Sequence, residues 1–115
     1  MLDGEASASE FKRRFARDFL DVLVLRILQI SPLWGYEIIY KIESDFGVKI
    51  GYGVMYPLLR SLEAGNLIKS RLEFKGKRKR KVYEITSRGA EIVESYYESL
   101  RAQLYRRDIT AARSP

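Results

Sequence analysis

Residues 53–65 read G-V-M-Y-P-L-L-R-S-L-E-A-G, the most informative stretch of the chain. Its large apolar side chains recur at steps of three and four residues, which predicts one buried face of a helix. These are Met55, Leu58, Leu59 and Leu62. The other positions would face outward: Val54, Tyr56, Pro57, Arg60, Ser61 and Ala64.

The ends of this helix are indicated by a proline and a glycine. Pro57 lacks a backbone N–H and is accommodated in a first turn or at a kink, so the helix should begin close to Gly53 and Val54. Gly65 can adopt the left-handed conformation of a helix C-cap and should end it. The outward tyrosine, arginine and small residues suit a DNA groove, although an ordinary surface helix shows the same pattern.

Two helices are predicted before this stretch. Ser7 and Glu10 have the spacing of a capping box, and an apolar stripe follows over residues 9–30, after a flexible tail of residues 1–8. The stripe consists of Phe11, Phe15, Phe19, Leu23, Ile27 and Ile30. Pro32 ends this helix, and a second is predicted over residues 36–46 after a turn at residues 33–35. Either a partner or the domain itself would cover the phenylalanine ridge.

A β-hairpin is predicted after the central helix. Residues 66–73 and 82–86 have strand character, and residues 74–81, F-K-G-K-R-K-R-K, would form a tip with six basic side chains. Three helices followed by a hairpin with a basic tip is the layout of a winged helix-turn-helix. The predicted fold class is therefore α+β, mainly helical with a small β-hairpin.

The last predicted helix covers residues 88–107, with Ser87 as its cap and residues 108–115 as a second flexible tail. Its apolar stripe is too long and too wide for one small domain to cover, which is typical of a helix that packs against a partner. Together with the phenylalanine ridge it predicts a homodimer. Residues 9–87 would form the DNA-binding domain and residues 88–107 the dimerisation helix. The predicted interface comprises Phe11, Phe15, Phe19, Ile92, Tyr96, Leu100 and Leu104.

The positive charge of the chain is concentrated in the hairpin. The formal net charge is +6, and residues 69–88 hold nine basic and two acidic residues, a net +7, so the rest of the chain sums to −1. Such a cluster suits a polyanionic partner such as nucleic acid, and a solvated loop is the alternative interpretation.

The composition excludes several chemistries. The chain contains neither cysteine nor histidine, so disulfides, thiolate zinc sites, iron–sulfur clusters and histidine acid–base catalysis are excluded. No paired acids stand in a recognisable motif, and we expect no enzyme activity, catalytic residue, metal or cofactor. The longest apolar run is shorter than the about 20 residues of a membrane span, and the N-terminus lacks a signal-peptide pattern. A cytoplasmic protein without a membrane partner is expected.

Three blocks of the sequence resemble the PadR family of transcriptional regulators. The first, L-x-I-L-Q-I-S-P-L-W-G-Y-E-I, ends at Ile38; the third, residues 80–89, is similar to the family's R-K-x-Y-x-x-T-x-x-G. The second, residues 53–68, resembles G-x-x-Y-P-x-L-x-x-L-E-x-x-G-L-I with one extra residue at Asn66. The blocks span about residues 22–89, and the single short C-terminal helix is similar to that of the small subfamily.

The resemblance implies a dimeric winged-helix protein that binds double-stranded DNA, typically a repressor. The helix after Gly51 would enter the major groove, and the hairpin would follow the backbone or the neighbouring minor groove. The amides at the start of the preceding helix would bind a phosphate. The residues placed at DNA are Gly35, Tyr36, Tyr52, Gly53, Val54, Tyr56, Arg60, Lys77, Arg78, Lys79 and Arg80. Members often carry hydroxyl side chains near positions 51 and 54, where this chain has glycine and valine, so the operator sequence does not carry over.

Some members of the family are released from DNA by a small planar ligand. An apolar cleft lined by Trp34, Tyr96 and Tyr97 would suit a small aromatic or hydrophobic effector, and the alternative is that these rings form interface core. Two other functions stay open: a winged-helix protein-interaction module of a larger assembly, and a non-specific architectural DNA-binding protein.

Overall fold

The computed structural model describes the backbone of residues 4–105 and the side chains of residues 7–105. Eight elements follow one another: α1 Gly4–Asp18, α2 Leu20–Ile30, β1 Leu33–Trp34, α3 Gly35–Phe46, α4 Tyr52–Ala64, β2 Ile68–Lys75, β3 Arg78–Ile85 and α5 Ser87–Leu104. The predicted fold class, mainly α with a small β-hairpin, is confirmed. The predicted tail at residues 108–115 lies outside the described residues. Of the described helices, none combines the length and apolarity needed to cross a membrane.

The first predicted helix is two helices, and it begins earlier than predicted. Residues 4–8, predicted as part of a tail, are helical, because the segment E-A-S-A contains good helix formers and no breaker. The chain then leaves helical geometry at Phe19, which has φ −113° and ψ 31°. At this break Phe15 stacks on Phe19 with ring centroids 5.0 Å apart, and on Phe46 at the end of α3 at 6.3 Å. Tertiary packing thus overrides a continuous helical pattern.

The core lies between α2, α3 and α4 and one face of the sheet. Its largest fully buried side chains come from all four parts: Leu25, Leu28, Ile38, Ile42, Met55, Leu59 and Ile68. Met55, Leu59 and Leu62 are buried and Leu58 is partly buried, so the apolar face predicted for the central helix is confirmed. The outward positions of α4 are left at the surface.

The central helix ends in a different way from the one predicted. Gly65 has φ −80°, and the left-handed residue is Asn66, with φ 61°. The Asn66 amide donates to the Glu63 carbonyl at 3.0 Å, and the Leu67 amide donates to the Leu62 carbonyl at 2.9 Å. These two bonds form a Schellman motif one residue later than expected. The extra residue at position 66 is therefore the one that reverses the chain.

The sheet has three strands rather than two, in the antiparallel order β1-β3-β2. Residues 33–34, predicted as a turn, form β1 and pair with Val82 and Tyr83. The central strand β3 is thus paired along both of its edges, and Val82 and Tyr83, which point to opposite faces, are both buried. The predicted eight-residue tip is wrong, because the strands continue to Lys75 and Arg78 and only two residues form the turn. Gly76 takes φ 65° there, as a tight hairpin turn requires.

Helix α5 is joined closely to the body at its start and leaves it afterwards. Thr86, not Ser87, caps the helix: its hydroxyl accepts from the Gly89 amide at 3.1 Å and donates to the Asn66 carbonyl at 2.7 Å. Gly89 lies so close to Leu67 that a Cβ would come within 2.2 Å of the Leu67 carbonyl oxygen. Val93 is the last buried residue, and all side chains from 94 to 105 are exposed.

Candidate nucleic-acid interface

The outward face of α4 offers a short exposed surface beside its buried face. Val54 is 57% exposed and Tyr56 47% exposed, and Arg60 is exposed one turn further along. Because the opposite face is anchored by buried Met55 and Leu59, this surface is presented on a rigid element.

A row of aromatic rings connects the starts of α3 and α4. The centroids of Tyr36 and Tyr52 lie 4.6 Å apart with their rings nearly perpendicular, and those of Tyr52 and Tyr56 lie 5.2 Å apart. Burial, reinforced by the neighbouring Tyr36, raises the pKa of Tyr52. Burial also raises the pKa of Tyr83 beneath this row. These two phenols therefore stay neutral near pH 7 and act as hydrogen-bonding groups without charge.

The structure brings the three separately predicted contact regions to one cleft of about 170 Å³. The start of α3, the start of α4 and the middle of β3 all line it. The lining residues are Trp34, Gly35, Tyr36, Tyr52, Tyr56, Lys79, Arg80, Lys81 and Tyr83. Tyr52 packs against Gly35, where a Cβ would lie 3.7 Å from the tyrosine ring, so the two helix starts are in direct contact. A surface with aromatic side chains on one wall and cations on the other results.

The cations of the hairpin are not equivalent. Lys77 lies in the turn, and Arg78 and Lys79 are exposed at the start of β3. Arg80 is partly buried: its guanidinium carbon lies 3.9 Å from the centre of the Trp34 ring, and its Nε is buried without a hydrogen-bond partner among the described residues. Arg80 is therefore held on the sheet, whereas the other three extend from it.

Glu63 belongs to this surface and was missed by sequence reasoning. One of its carboxylate oxygens accepts a hydrogen bond from the Ser70 hydroxyl at 2.5 Å, and the other lies 3.6 Å from the Lys81 ammonium. Its partners stand 7 and 18 residues away on two different strands, and only the strand register brings them together. The sequence carries no local signal for such a contact.

The three residues predicted to line an effector pocket do not meet within one chain. Trp34 lines a cleft of about 390 Å³ on the outer face of the sheet, with Phe74 and Arg80. Tyr97 lines another of about 430 Å³ between α2 and α5, with Arg26 and Gln29. Tyr96 is exposed on α5. A pocket that contains all three would need a second chain.

The predicted interface residues divide into two groups. Phe19 and Ile92 are partly buried in their own domain, the first against Phe15 and the second against the core. The others are exposed large apolar side chains: Phe11, Phe15, Tyr96, Leu100 and Leu104. The domain thus covers only part of the phenylalanine ridge, and the outer part of both helices stays uncovered.

The domain is a winged helix-turn-helix. It has three helices followed by a basic hairpin, and a short connection joins α3 to α4. The chain belongs to the transcriptional regulator PadR-like family, whose family model matches residues 24–95. No curated protein matches the sequence.

Solved structures agree with this assignment. A PadR-family regulator from Eggerthella lenta DSM 2243 is 28% identical, with a TM-score of 0.69 over 87% of this chain and 88% of that chain. One from hypervirulent Clostridium difficile R20291 is 29% identical, with a TM-score of 0.68 over 72% and 88%. Bacillus subtilis PadR, solved in complex with operator DNA, shares the fold at 23% identity and a TM-score of 0.63, over 68% of this chain and 46% of its own.

Proposed function

We propose that this protein is a homodimeric, sequence-specific regulator of transcription that binds double-stranded DNA and acts as a repressor. The observation that carries the proposal is the single surface on which the exposed face of α4 meets the basic hairpin. The complex of Bacillus subtilis PadR with operator DNA supports it, because that protein shares the fold.

In this proposal α4 enters the major groove and reads bases. Arg60 is exposed and can donate two hydrogen bonds to a guanine edge, and Val54 offers an apolar contact to a thymine methyl group. Tyr52, Gly53 and Tyr56 lie at the same end of the helix and bring its backbone close to DNA. The specific contacts are thus assigned to the helix.

The phosphate contacts are assigned to the hairpin and to the start of α3. Lys77, Arg78 and Lys79 extend along the backbone or into the neighbouring minor groove, where they add affinity without reading sequence. At α3 the Glu37 carboxylate accepts the Trp34 amide at 3.2 Å. The next amides, of Gly35 and Tyr36, are assigned to a phosphate at the positive end of the helix.

The dimer is assigned to the uncovered outer parts of α1 and α5. Residues 94–104 of α5 are all exposed and include the large apolar side chains of Tyr96, Leu100 and Leu104, an uncovered stripe of the kind that often marks a protein interface. A second copy that packs on it, with Phe11 and Phe15, would bury more than about 2,000 Å² in total, as obligate dimers do. A small aromatic effector would bind where Trp34, Tyr96 and Tyr97 of two chains converge.

A competition assay tests the proposal. The purified protein is mixed with a labelled duplex from the region upstream of its own gene and with unlabelled random duplex. Preference for the labelled duplex is the expected result. Equal binding to all duplexes would indicate an architectural DNA-binding protein, and no binding to any would indicate a protein-interaction module. Either outcome would overturn the proposal.

A further inference from the structure

Glu63 stands where the hairpin leaves the body of the domain. It lies in the last turn of α4, one turn beyond Arg60. Along β2, Ile68 is buried, Ser70 is partly buried, and all residues from 71 to 75 are exposed. The contact between Glu63 and Ser70 is therefore at the boundary between the anchored base of the hairpin and its projecting part.

One carboxylate holds both strands. Ser70 belongs to β2 and Lys81 to β3, and the register pairs Ser70 with Tyr83 and Leu72 with Lys81. Because cross-strand partners share a face and side chains alternate along a strand, Ser70 and Lys81 lie on the same face of the sheet. Glu63 approaches that face from α4 and contacts both through its two oxygens.

We propose that Glu63 is a positioning residue that fixes the basic hairpin relative to α4. It would set the distance between the base-reading side chains of the helix and the cations at residues 77–79. This inference rests on the proposed DNA-binding function, and it assigns to an acidic residue a favourable role in binding a polyanion.

The negative charge of Glu63 would by itself weaken DNA binding. A favourable role therefore requires that its effect on the orientation of the hairpin be larger than this repulsion. A carboxylate on a DNA-facing surface repels phosphate, so simple electrostatics predicts tighter DNA binding when it is removed. Its ion pair with Lys81 is separated by 3.6 Å, and the two side chains are 35% and 46% exposed, so it adds little to stability. The effect of Glu63 on affinity should therefore come from the orientation of the hairpin. Removal of Glu63 should therefore weaken DNA binding if orientation dominates and strengthen it if charge repulsion dominates.

The test compares Glu63→Ala with Glu73→Ala. Both remove one negative charge and both carboxylate oxygens, but among the described residues the Glu73 carboxylate pairs with Arg71, on the outer face of the hairpin. Glu63→Ala should weaken binding to the cognate duplex on the order of tenfold at 0.2 M salt, as the loss of about one phosphate contact per subunit would. Glu73→Ala should bind as tightly as wild type or more tightly. Equal or tighter binding by Glu63→Ala would overturn the proposal.

A second readout does not depend on DNA. Amide hydrogen exchange of residues 70–81 in the free protein should accelerate in Glu63→Ala and in Ser70→Ala, and should stay unchanged in Glu73→Ala. A urea melt verifies that each variant is folded. Unchanged exchange in folded Glu63→Ala would overturn the positioning role. Should wild type bind no duplex at all, the proposed function fails while the exchange result still decides the role of Glu63.

Discussion

Removal of the three projecting cations of the hairpin should change the salt dependence of DNA binding by a calculable amount. Lys77, Arg78 and Lys79 are exposed and have no acidic partner within 4.0 Å among the described residues. Each phosphate contact releases condensed counterions and contributes about 0.9 to the slope of log affinity against log salt. With three contacts in each of two subunits, the triple alanine variant should flatten the slope by roughly 5.

Fluorescence anisotropy between 50 and 300 mM salt, on cognate and random duplexes, measures this slope. The triple variant should lose affinity for both duplexes to a similar degree, because phosphates carry no sequence information. Lys69→Ala is the matched control, since Lys69 is an exposed cation at the base of the same hairpin. It should change the slope by much less.

Arg60→Ala provides the contrast in the same titration. If Arg60 reaches a base edge, its loss should cost about 1–3 kcal/mol per half-site on the cognate duplex and little on random DNA. A triple variant that keeps its slope, or that loses discrimination while Arg60→Ala loses only general affinity, would refute the assignment of phosphates to the hairpin and bases to the helix.

Four further variants test other parts of the structure. Leu100→Glu places a charge in the exposed stripe of α5 and should shift sedimentation velocity from dimer to monomer or aggregate; a stable wild-type monomer at micromolar concentration would contradict the dimer. Gly89→Ala should cost about 1–3 kcal/mol in a urea melt, because its Cβ would lie 2.2 Å from the Leu67 carbonyl oxygen. Gly53→Ala, which meets open space, should instead gain about 0.5–1 kcal/mol, and equal melts would refute this difference. Arg80→Ala should alter the salt slope by much less than 2, whereas a change of about 2 would place Arg80 on phosphate.

The parts of the fold that follow from local pattern could be predicted. The buried face of α4 repeats with the helical period, and the hairpin is marked by a glycine between two β-prone runs. Both predictions are confirmed, because each depends on residues that are close in sequence.

The parts of the fold that depend on tertiary contacts or on strand pairing could not be predicted from the sequence. The break at Phe19 lies beside Phe15, which stacks both on Phe19 and on Phe46 at the end of α3. Strand β1 exists because Trp34 pairs with Val82, 48 residues later. Pairing with β2 continues β3 back to Arg78, well into the segment predicted as a tip. The helix and strand propensities of single residues are too weak to predict a helix break or the ends of a strand, because tertiary context overrides them.

The same limit applies to the candidate site. Spacing placed Tyr56 and Arg60 on the outward face of a helix, as the structure has them, because one element determines their orientation. The cleft that unites Tyr36 with Tyr52 arises from contact between two helix starts, and no local pattern indicates it. Glu63 is the clearest case, because its contacts with Ser70 and Lys81 depend on the register of the two strands.

The basic residues of the hairpin, which composition counts together as net charge, fall into two structural groups. Arg71 is paired with Glu73 and Glu84 on the outer face, and Lys81 is paired with Glu63 on the inner face. Arg80 stacks on an indole. Arg71, Arg80 and Lys81 are thus held by internal contacts, whereas the cations at residues 77–79 are exposed at and beside the turn. We therefore expect the orientation of the hairpin, as well as its net charge, to affect the binding of a polyanion. This arrangement is the reason that we propose a favourable role in DNA binding for Glu63, an acidic residue at the base of the hairpin.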